Sequence, residues 1–222
     1  MDVIEAIRGR ASTRAFLDQE VSRETVEQIL EAARWAPSGT NTQPWQVAVA
    51  GRKTMSRIGN TIVAALNSGA KPHPDYPYYP KEFVEPYQGR RVECGMALYG
   101  ALDIDRKDYE RRKAQWYKNY HGFGAPIVLF AFVDKAMEQG SWVDCGMFLQ
   151  SIMLAARGLG LETCPQAALA EFPDLVRAEL DMPSSLDLIC GIALGYPDLA
   201  DPVNNYRTTR IEVEDFTTWR TD

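Results

Sequence analysis

The sequence predicts an α+β fold. Segments of helical periodicity and segments of strand character interleave along the chain, but not in the strict β-α-β alternation that a doubly wound sheet needs. Pro126–Val133 is a continuous apolar run of strand length, which suggests burial on both faces. Residues 141–158 carry apolar side chains nearly all round (Val143, Met147, Phe148, Leu149, Ile152, Met153 and Leu154). A helix with so little polar face belongs in a core or at a subunit interface.

The elements follow in order. Val3, Ile4 and Ile7 fall at helical spacing, so the chain opens with a short helix ending near Arg8–Arg10. Ser22 is the N-cap of a second helix with Val26, Ile29, Leu30 and Ala33 on one face. Pro37 and Gly39 break the chain before a strand at Gln46–Ala50. Residues 53–67 repeat the helical pattern through Met55, Ile58, Ile62 and Leu66. Residues 71–88 hold Pro72, Pro74, Pro77, Pro80 and Pro86 among Tyr76, Tyr78, Tyr79 and Tyr87, a proline density that no regular element survives. That segment is either a functional lid or a surface excursion whose rings merely pack. Residues 90–120 read as helical and heavily charged. Gly158 and Gly160 end the 141–158 helix. A short strand near Leu161–Cys164, a helix near Phe172–Leu180 and a strand at Leu186–Leu194 complete the pattern, and a polar, extended tail runs from Ala200 to Asp222.

The chain has 222 residues, 45% hydrophobic and 24% charged, an ordinary globular composition. No repeat or low-complexity linker divides it. It reads as one domain over 1–222, with a Pro/Tyr-rich excursion near 70–120 and a C-terminal arm at 200–222. The net charge of −6 opposes broad nucleic-acid binding, which needs a positive field. Met1–Arg10 has no apolar core of the secretory-signal kind, and Ile127–Val133 falls far short of the roughly 20 residues a spanning helix needs. The expectation is a cytoplasmic protein off the membrane. Cys94, Cys145, Cys164 and Cys190 are widely spaced and read as buried reduced thiols. With His73 and His121 the only histidines, no zinc site is expected.

Four segments are candidates for chemistry. Arg10, Ser12 and Arg14 alternate after the first helix. An extended segment would turn all three to one face, where they would meet one anion or simply solvent. Pro37–Trp45 is a loop of small, polar and turn-forming residues, suited to hydrogen-bonding a polar ring edge or to an ordinary turn. In Gly158–Ala168, the small residues after Pro165 would let a planar ligand approach the backbone, or merely connect a strand to a helix. Gly195-Tyr196-Pro197 precedes Asn204, Arg207 and Arg210 in the tail.

Taken in this order, the four segments resemble the FMN-dependent nitroreductase family along nearly the whole chain. The matching stretches are Arg10–Phe16 (RASTRAF), Ala33–Trp45 (ARWAPSGTNTQPW), Ala156–Pro165 (ARGLGLETCP) and Gly191–Pro197 (GIALGYP), with the tail arginines. The PYYP and EPYxxRR elements between residues 70 and 120 look like the branch that includes nitrobenzoate reductases.

The resemblance implies a central, mostly antiparallel sheet flanked by helices, in an intertwined homodimer. It implies FMN as cofactor, NADH or NADPH as donor, and a small aromatic acceptor, with ping-pong hydride transfer through flavin N5 and no catalytic side chain. Arg10 and Ser12 would grip the FMN phosphate with Arg210 and Arg207. Arg14 would sit by the flavin pyrimidine edge, where a cation stabilises the reduced ring. Pro165, Gln166, Ala167 and Ala168 would pass beside N5. Pro37, Ser38, Gly39 and Asn41 would reach the flavin of the other subunit, and the 141–158 helix would be interface. Trp116, Tyr117, Tyr120 and Phe123 are candidates to line the acceptor pocket. Ala167-Ala168 departs from the family's usual Glu-Gly or Met-Gly, and Ala11 from its usual Arg or His. The competing readings are another acceptor for the same cofactor (quinone, alkene or halogenated ring) and a non-catalytic flavin-binding protein.

Overall fold

Each helix begins where side-chain chemistry lets it begin. The computed structural model describes residues 1–221. Helix α1 (Val3–Gly9) is started by a reciprocal capping box, in which Asp2 accepts the Glu5 amide and Glu5 accepts the Asp2 amide. Ser22 caps α2 (Arg23–Ala33) as expected, its Oγ accepting the Thr25 N–H at 3.1 Å. Strand β1 (Trp45–Gly51) leads directly into α3 (Arg52–Asn67). After the excursion come α4 (Tyr87–Ala101), α5 (Tyr109–Tyr117), β2 (Ile127–Asp134), α6 (Gln139–Gly158), β3 (Glu162–Gln166), α7 (Pro173–Leu180) and β4 (Leu186–Gly195).

The four strands form one sheet in the order β1-β2-β4-β3, and every neighbouring pair is antiparallel. Alternation along β2 divides the core in two. Val128, Phe130 and Phe132 face a layer built from α3, α7 and the turn at 118–124, where Met55, Ile58, Ile62 and Phe172 are buried. Leu129, Ala131 and Val133 face the opposite layer of α2 and α6, with Ile29, Phe148 and Ile152. The continuous apolar run at 127–133 is therefore a strand covered on both sides.

Three expectations change in detail. The charged 90–120 segment, read as helical, is divided between two helices, because the chain turns at Asp103 (φ 49°) and Asp108 caps a new start by accepting the Arg111 N–H. Cys145, Cys164 and Cys190 are buried free thiols, but Cys94 is exposed, since α4 buries no residue. The α6 helix is buried on one face only. Val143 stays 66% exposed and Met147 37% exposed on the other.

The excursion is irregular up to Pro86, and its first part is docked. Strand β3 covers β4 only along Gly191–Gly195, so residues 186–190 have no strand on that side. Asp75 and Tyr76 fill the gap. The Leu188 N–H donates to Asp75 Oδ2 at 2.9 Å, and the Tyr76 hydroxyl donates to the Ile189 carbonyl at 2.6 Å. Arg177 of α7 pairs with Asp75 at 2.5 Å and donates to the Leu186 carbonyl, both ion-pair partners being nearly buried. Further on, Tyr78 and Tyr79 point outward. Among the described residues, no helix is long and apolar enough to cross a membrane, and no cluster of metal-binding side chains forms.

Candidate functional site

Residues 10–17 leave α1 as an extended segment laid across the ends of β3 and β4. Ser12 bridges to Thr163 in parallel register, and the Thr13 N–H donates to the Thr163 carbonyl at 3.0 Å. The Leu17 N–H reaches the Tyr196 carbonyl at 2.9 Å, and the Asp198 N–H reaches the Ala15 carbonyl at 3.0 Å. The tail then returns over this segment. Asn204 accepts the Arg14 N–H at 2.8 Å through Oδ1 and donates to the Ala15 and Asp198 carbonyls through Nδ2. Arg207 donates to the Gly9 and Arg10 carbonyls at 2.7 and 3.1 Å, satisfying orphan carbonyls at the end of α1.

Between segment and tail lies a cleft of about 550 Å3. Arg8, Arg10, Arg14, Arg207 and Arg210 line it with Ser12, and among the described residues no Asp or Glu does. Burial pushes the Arg10 pKa below its ordinary value, and the positive charges of Arg210 and Arg207 push it further, against an opposing pull from Glu162. Glu162 is itself engaged by Arg157. A half-buried arginine held among other cations, with no acid among the described residues of the cleft, marks a site prepared for an anion. The Arg14 guanidinium is held by the Ser12 carbonyl at 3.2 Å and the Tyr206 hydroxyl at 2.8 Å. The structure thus brings together Arg10, Ser12, Arg14, Arg207 and Arg210, residues far apart in the sequence.

The other candidates lie elsewhere in the single chain. Pro165 is exposed at the end of β3, and the parallel register from Ser12–Thr163 runs the Arg14 segment alongside it. Gln166 is 2% exposed. Its Nε2 donates to the Asn119 carbonyl at 2.8 Å, while its Oε1 has no donor among the described residues. Ala167 is half-buried and Ala168 is buried. None of the four lines the cationic cleft. Pro37, Ser38, Gly39 and Asn41 are also absent from it, sitting on the loop between α2 and β1 against α6.

A second cleft of about 440 Å3 shares Arg14 with the first. Tyr117 and Phe123 line it, together with Lys118, His121, Asp198 and Asp201. Trp116 and Tyr120 do not. Tyr120 is buried, takes the Trp116 Nε1–H at 3.1 Å and donates to Glu171 at 2.7 Å. Two site contributors escaped the sequence reading. Tyr206 carries no signal beyond its place between Asn204 and Arg207, and Asp144 is one acid within an apolar helix.

A sequence profile described as the Nitroreductase family matches residues 7–196. The chain belongs to the nitroreductase family. It is 38% identical over 216 residues to a nitrobenzene nitroreductase of Ectopseudomonas oleovorans, covering 97% of this chain and 95% of that one. It is 35% identical to a 4-nitrobenzoate reductase of Pseudomonas putida, covering 97% and 94%. The crystal structure of the FMN- and NADPH-dependent nitroreductase NfnB from Sphigopyxis sp. strain HMH superposes with a TM-score of 0.97 over 100% of both chains, at 37% identity. NfnB of Mycobacterium smegmatis, crystallised with NADPH, superposes with a TM-score of 0.93 at 34% identity, covering 98% and 97%. The nitroreductase fold is therefore shared across the whole chain, including the excursion and the tail.

Proposed function

We propose that this nitroreductase-family chain is an FMN-dependent NAD(P)H nitroreductase acting on nitroaromatic compounds, nitrobenzoate-like ones among them. One observation carries the reading: five arginines converge on a carboxylate-free cleft, in a chain that matches FMN- and NADPH-dependent nitroreductases from end to end. The residues fit the cofactor, because a phosphate monoester supplies the anion that the cluster lacks.

When bound, FMN would supply the two-electron hydride chemistry between NAD(P)H and the acceptor. Arg10, Ser12, Arg207 and Arg210 hold the phosphate. Arg14, fixed by Ser12 and Tyr206, presents a cation to the ring edge. The backbone of Pro165–Ala168 runs beside the ring. Pro37, Ser38, Gly39 and Asn41 complete the site from a second subunit of a homodimer. Tyr117 and Phe123 wall the acceptor side through the cleft that shares Arg14. The chain is a single cytoplasmic domain in which the excursion and the arm are additions to the sheet and its helices.

The test is spectroscopic. The purified protein is expected to be yellow and to release FMN on heating. Under anaerobic stopped-flow mixing, NADPH should bleach the flavin band and 4-nitrobenzoate should restore it. A protein that binds FMN without bleaching is a flavin carrier, and this reading then fails.

A further inference from the structure

The loop between α2 and β1 is held in a costly backbone conformation. Thr40 (φ 49°), Asn41 (φ 60°) and Gln43 (φ 48°) all occupy the left-handed region, and none of them is glycine. The left-handed region is unfavourable for side-chain-bearing residues, least so for Asn, and such a run persists only where its surroundings over-determine it. The side chains of Thr40, Asn41 and Gln43 are exposed, so no packing of their own explains the conformation.

What holds the loop is at its base. The Gly39 N–H donates to Asp144 Oδ2 at 3.1 Å. Asp144 lies in α6 and is only 9% exposed, and this amide is the one partner its carboxylate has among the described residues. The Gln43 N–H donates to Ser38 Oγ at 3.0 Å, and Gln43 Nε2 donates to the Asn41 carbonyl at 3.1 Å. Beyond the loop, Trp45 stacks on Phe148, one helical turn past Asp144, with ring centroids 4.6 Å apart and planes 1° from parallel. The loop is thus docked on α6 at both ends, and among the described residues Asp144 supplies a charged hydrogen-bond partner in that docking. An acid in an otherwise apolar helix face is expensive, and its one evident use is to fix the backbone of Gly39.

We propose that Asp144 is the positioning residue for this loop. By accepting the Gly39 N–H, it holds Thr40 and Asn41 in the strained form that the partner subunit's cofactor site requires. The inference rests on the FMN reading above. Helix α6 carries both the anchor and the exposed Val143 and Met147, so loop geometry and subunit contact are set by one element.

The experiment compares FMN dissociation constants for wild type, Asp144→Ala and Asp144→Asn, with thermal unfolding of each apoprotein alongside. Asparagine keeps an oxygen that can accept from Gly39, and alanine does not. Asp144→Ala is expected to bind FMN about tenfold or more weakly, as loss of a charge-assisted hydrogen bond implies. Asp144→Asn is expected to stay within about threefold of wild type. Equal affinity in Asp144→Ala and wild type, or equal loss in the alanine and asparagine variants, overturns the proposal. A merely structural role would follow the unfolding temperatures and would not be rescued selectively by asparagine. Co-expression with Arg10→Ala gives a second test. In the heterodimer, one site combines the intact Arg10 of one chain with the intact loop of the other, so one site of wild-type affinity per two chains is expected. No such site overturns the cross-subunit role. If wild type itself binds no FMN, it is the functional reading that falls.

Discussion

At the residue scale, what decides the site is convergence of charge. Burial and the charges of Arg210 and Arg207 lower the proton affinity of Arg10, and among the described residues no acid lines their cleft, so the group contributes most when an anion is bound. Arg10→Ala should weaken FMN binding by about ten- to a hundredfold, the range for one charge-assisted contact. Fluorescence titration reads it, and an unchanged dissociation constant removes Arg10 from the site. Arg14 is held between the Ser12 carbonyl and the Tyr206 hydroxyl, and its segment runs alongside Pro165. A cation fixed this way suits tuning of a ring better than gripping of a phosphate. Arg14→Gln keeps hydrogen-bonding capacity and loses the charge, a change of about 1–2 kcal/mol at a partly exposed edge. The two-electron potential of bound FMN should fall by roughly 20–45 mV. A phosphate-binding role predicts weaker binding at unchanged potential, and spectroelectrochemistry of the FMN-saturated variant separates the two. The alternation of Arg10, Ser12 and Arg14 was legible as a pattern because an extended segment turns alternate residues one way. Its tail partner Tyr206 was not singled out, and nothing local to Asn204 says which segment it folds back upon.

At the element scale, periodicity exposed the helices and strands, and failed where pairing over long sequence distance takes over. The covered run at 127–133 and the Ser22 cap are local signals, and both are realised. The docking of residues 73–76 against the open half of β4 is not local. It depends on β3 ending its pairing at Gly191, more than a hundred residues away in the chain. The excursion has two electrostatic anchors of unlike character. Asp75–Arg177 is nearly buried, whereas His73–Asp174 is about half exposed. The hydrogen bond that His73 donates to Asp174 raises the His73 pKa above its ordinary value. A raised folded-state pKa contributes stability that is complete below the unfolded value and is lost as pH rises through the folded one. Exposure keeps the effect small. Protection of the His73 amide, which donates to the Glu171 carbonyl at 2.9 Å, should therefore fall as pH rises through the raised His73 pKa. Comparison with His73→Gln in hydrogen exchange cancels the intrinsic pH dependence. A wild-type profile that parallels the variant would dismiss the anchor.

At the scale of the whole molecule, the single chain shows more surface than a monomer of its mass should. Its accessible area is 13368 Å2 for 24.9 kDa. The scaling for folded monomers gives roughly 10,000 Å2 at that mass. The excess, about 3,000 Å2 per chain and so roughly 6,000 Å2 over two chains, lies at the upper end of what obligate homodimers bury between subunits. The exposed apolar side chains lie where a partner would cover them. Val143 and Met147 project from α6, while α1, which packs against α6, leaves Val3, Ile4 and Ile7 more than 45% exposed. The sequence hinted at this through the all-round apolarity of 141–158, because a helix with one face in the core and the other against a partner has no face left for water. It did not reveal the loop anchor at Asp144, which is meaningful only once α6 is placed against Gly39. Pro37–Asn41 and Arg10–Arg14 sit apart in one chain, as the proposed two-chain site requires. They belong to one site only if two chains supply it. Met147→Asp places a charge in the middle of the proposed interface without touching the cationic cleft. It should shift the protein from dimer to monomer in sedimentation velocity and reduce FMN occupancy in the same step. The far-ultraviolet dichroism should be retained, since Met147 is 37% exposed and supports no core cluster. A monomer that still carries FMN at full occupancy would show that one chain completes the site alone, and the loop at Pro37–Asn41 would then have no cofactor to serve.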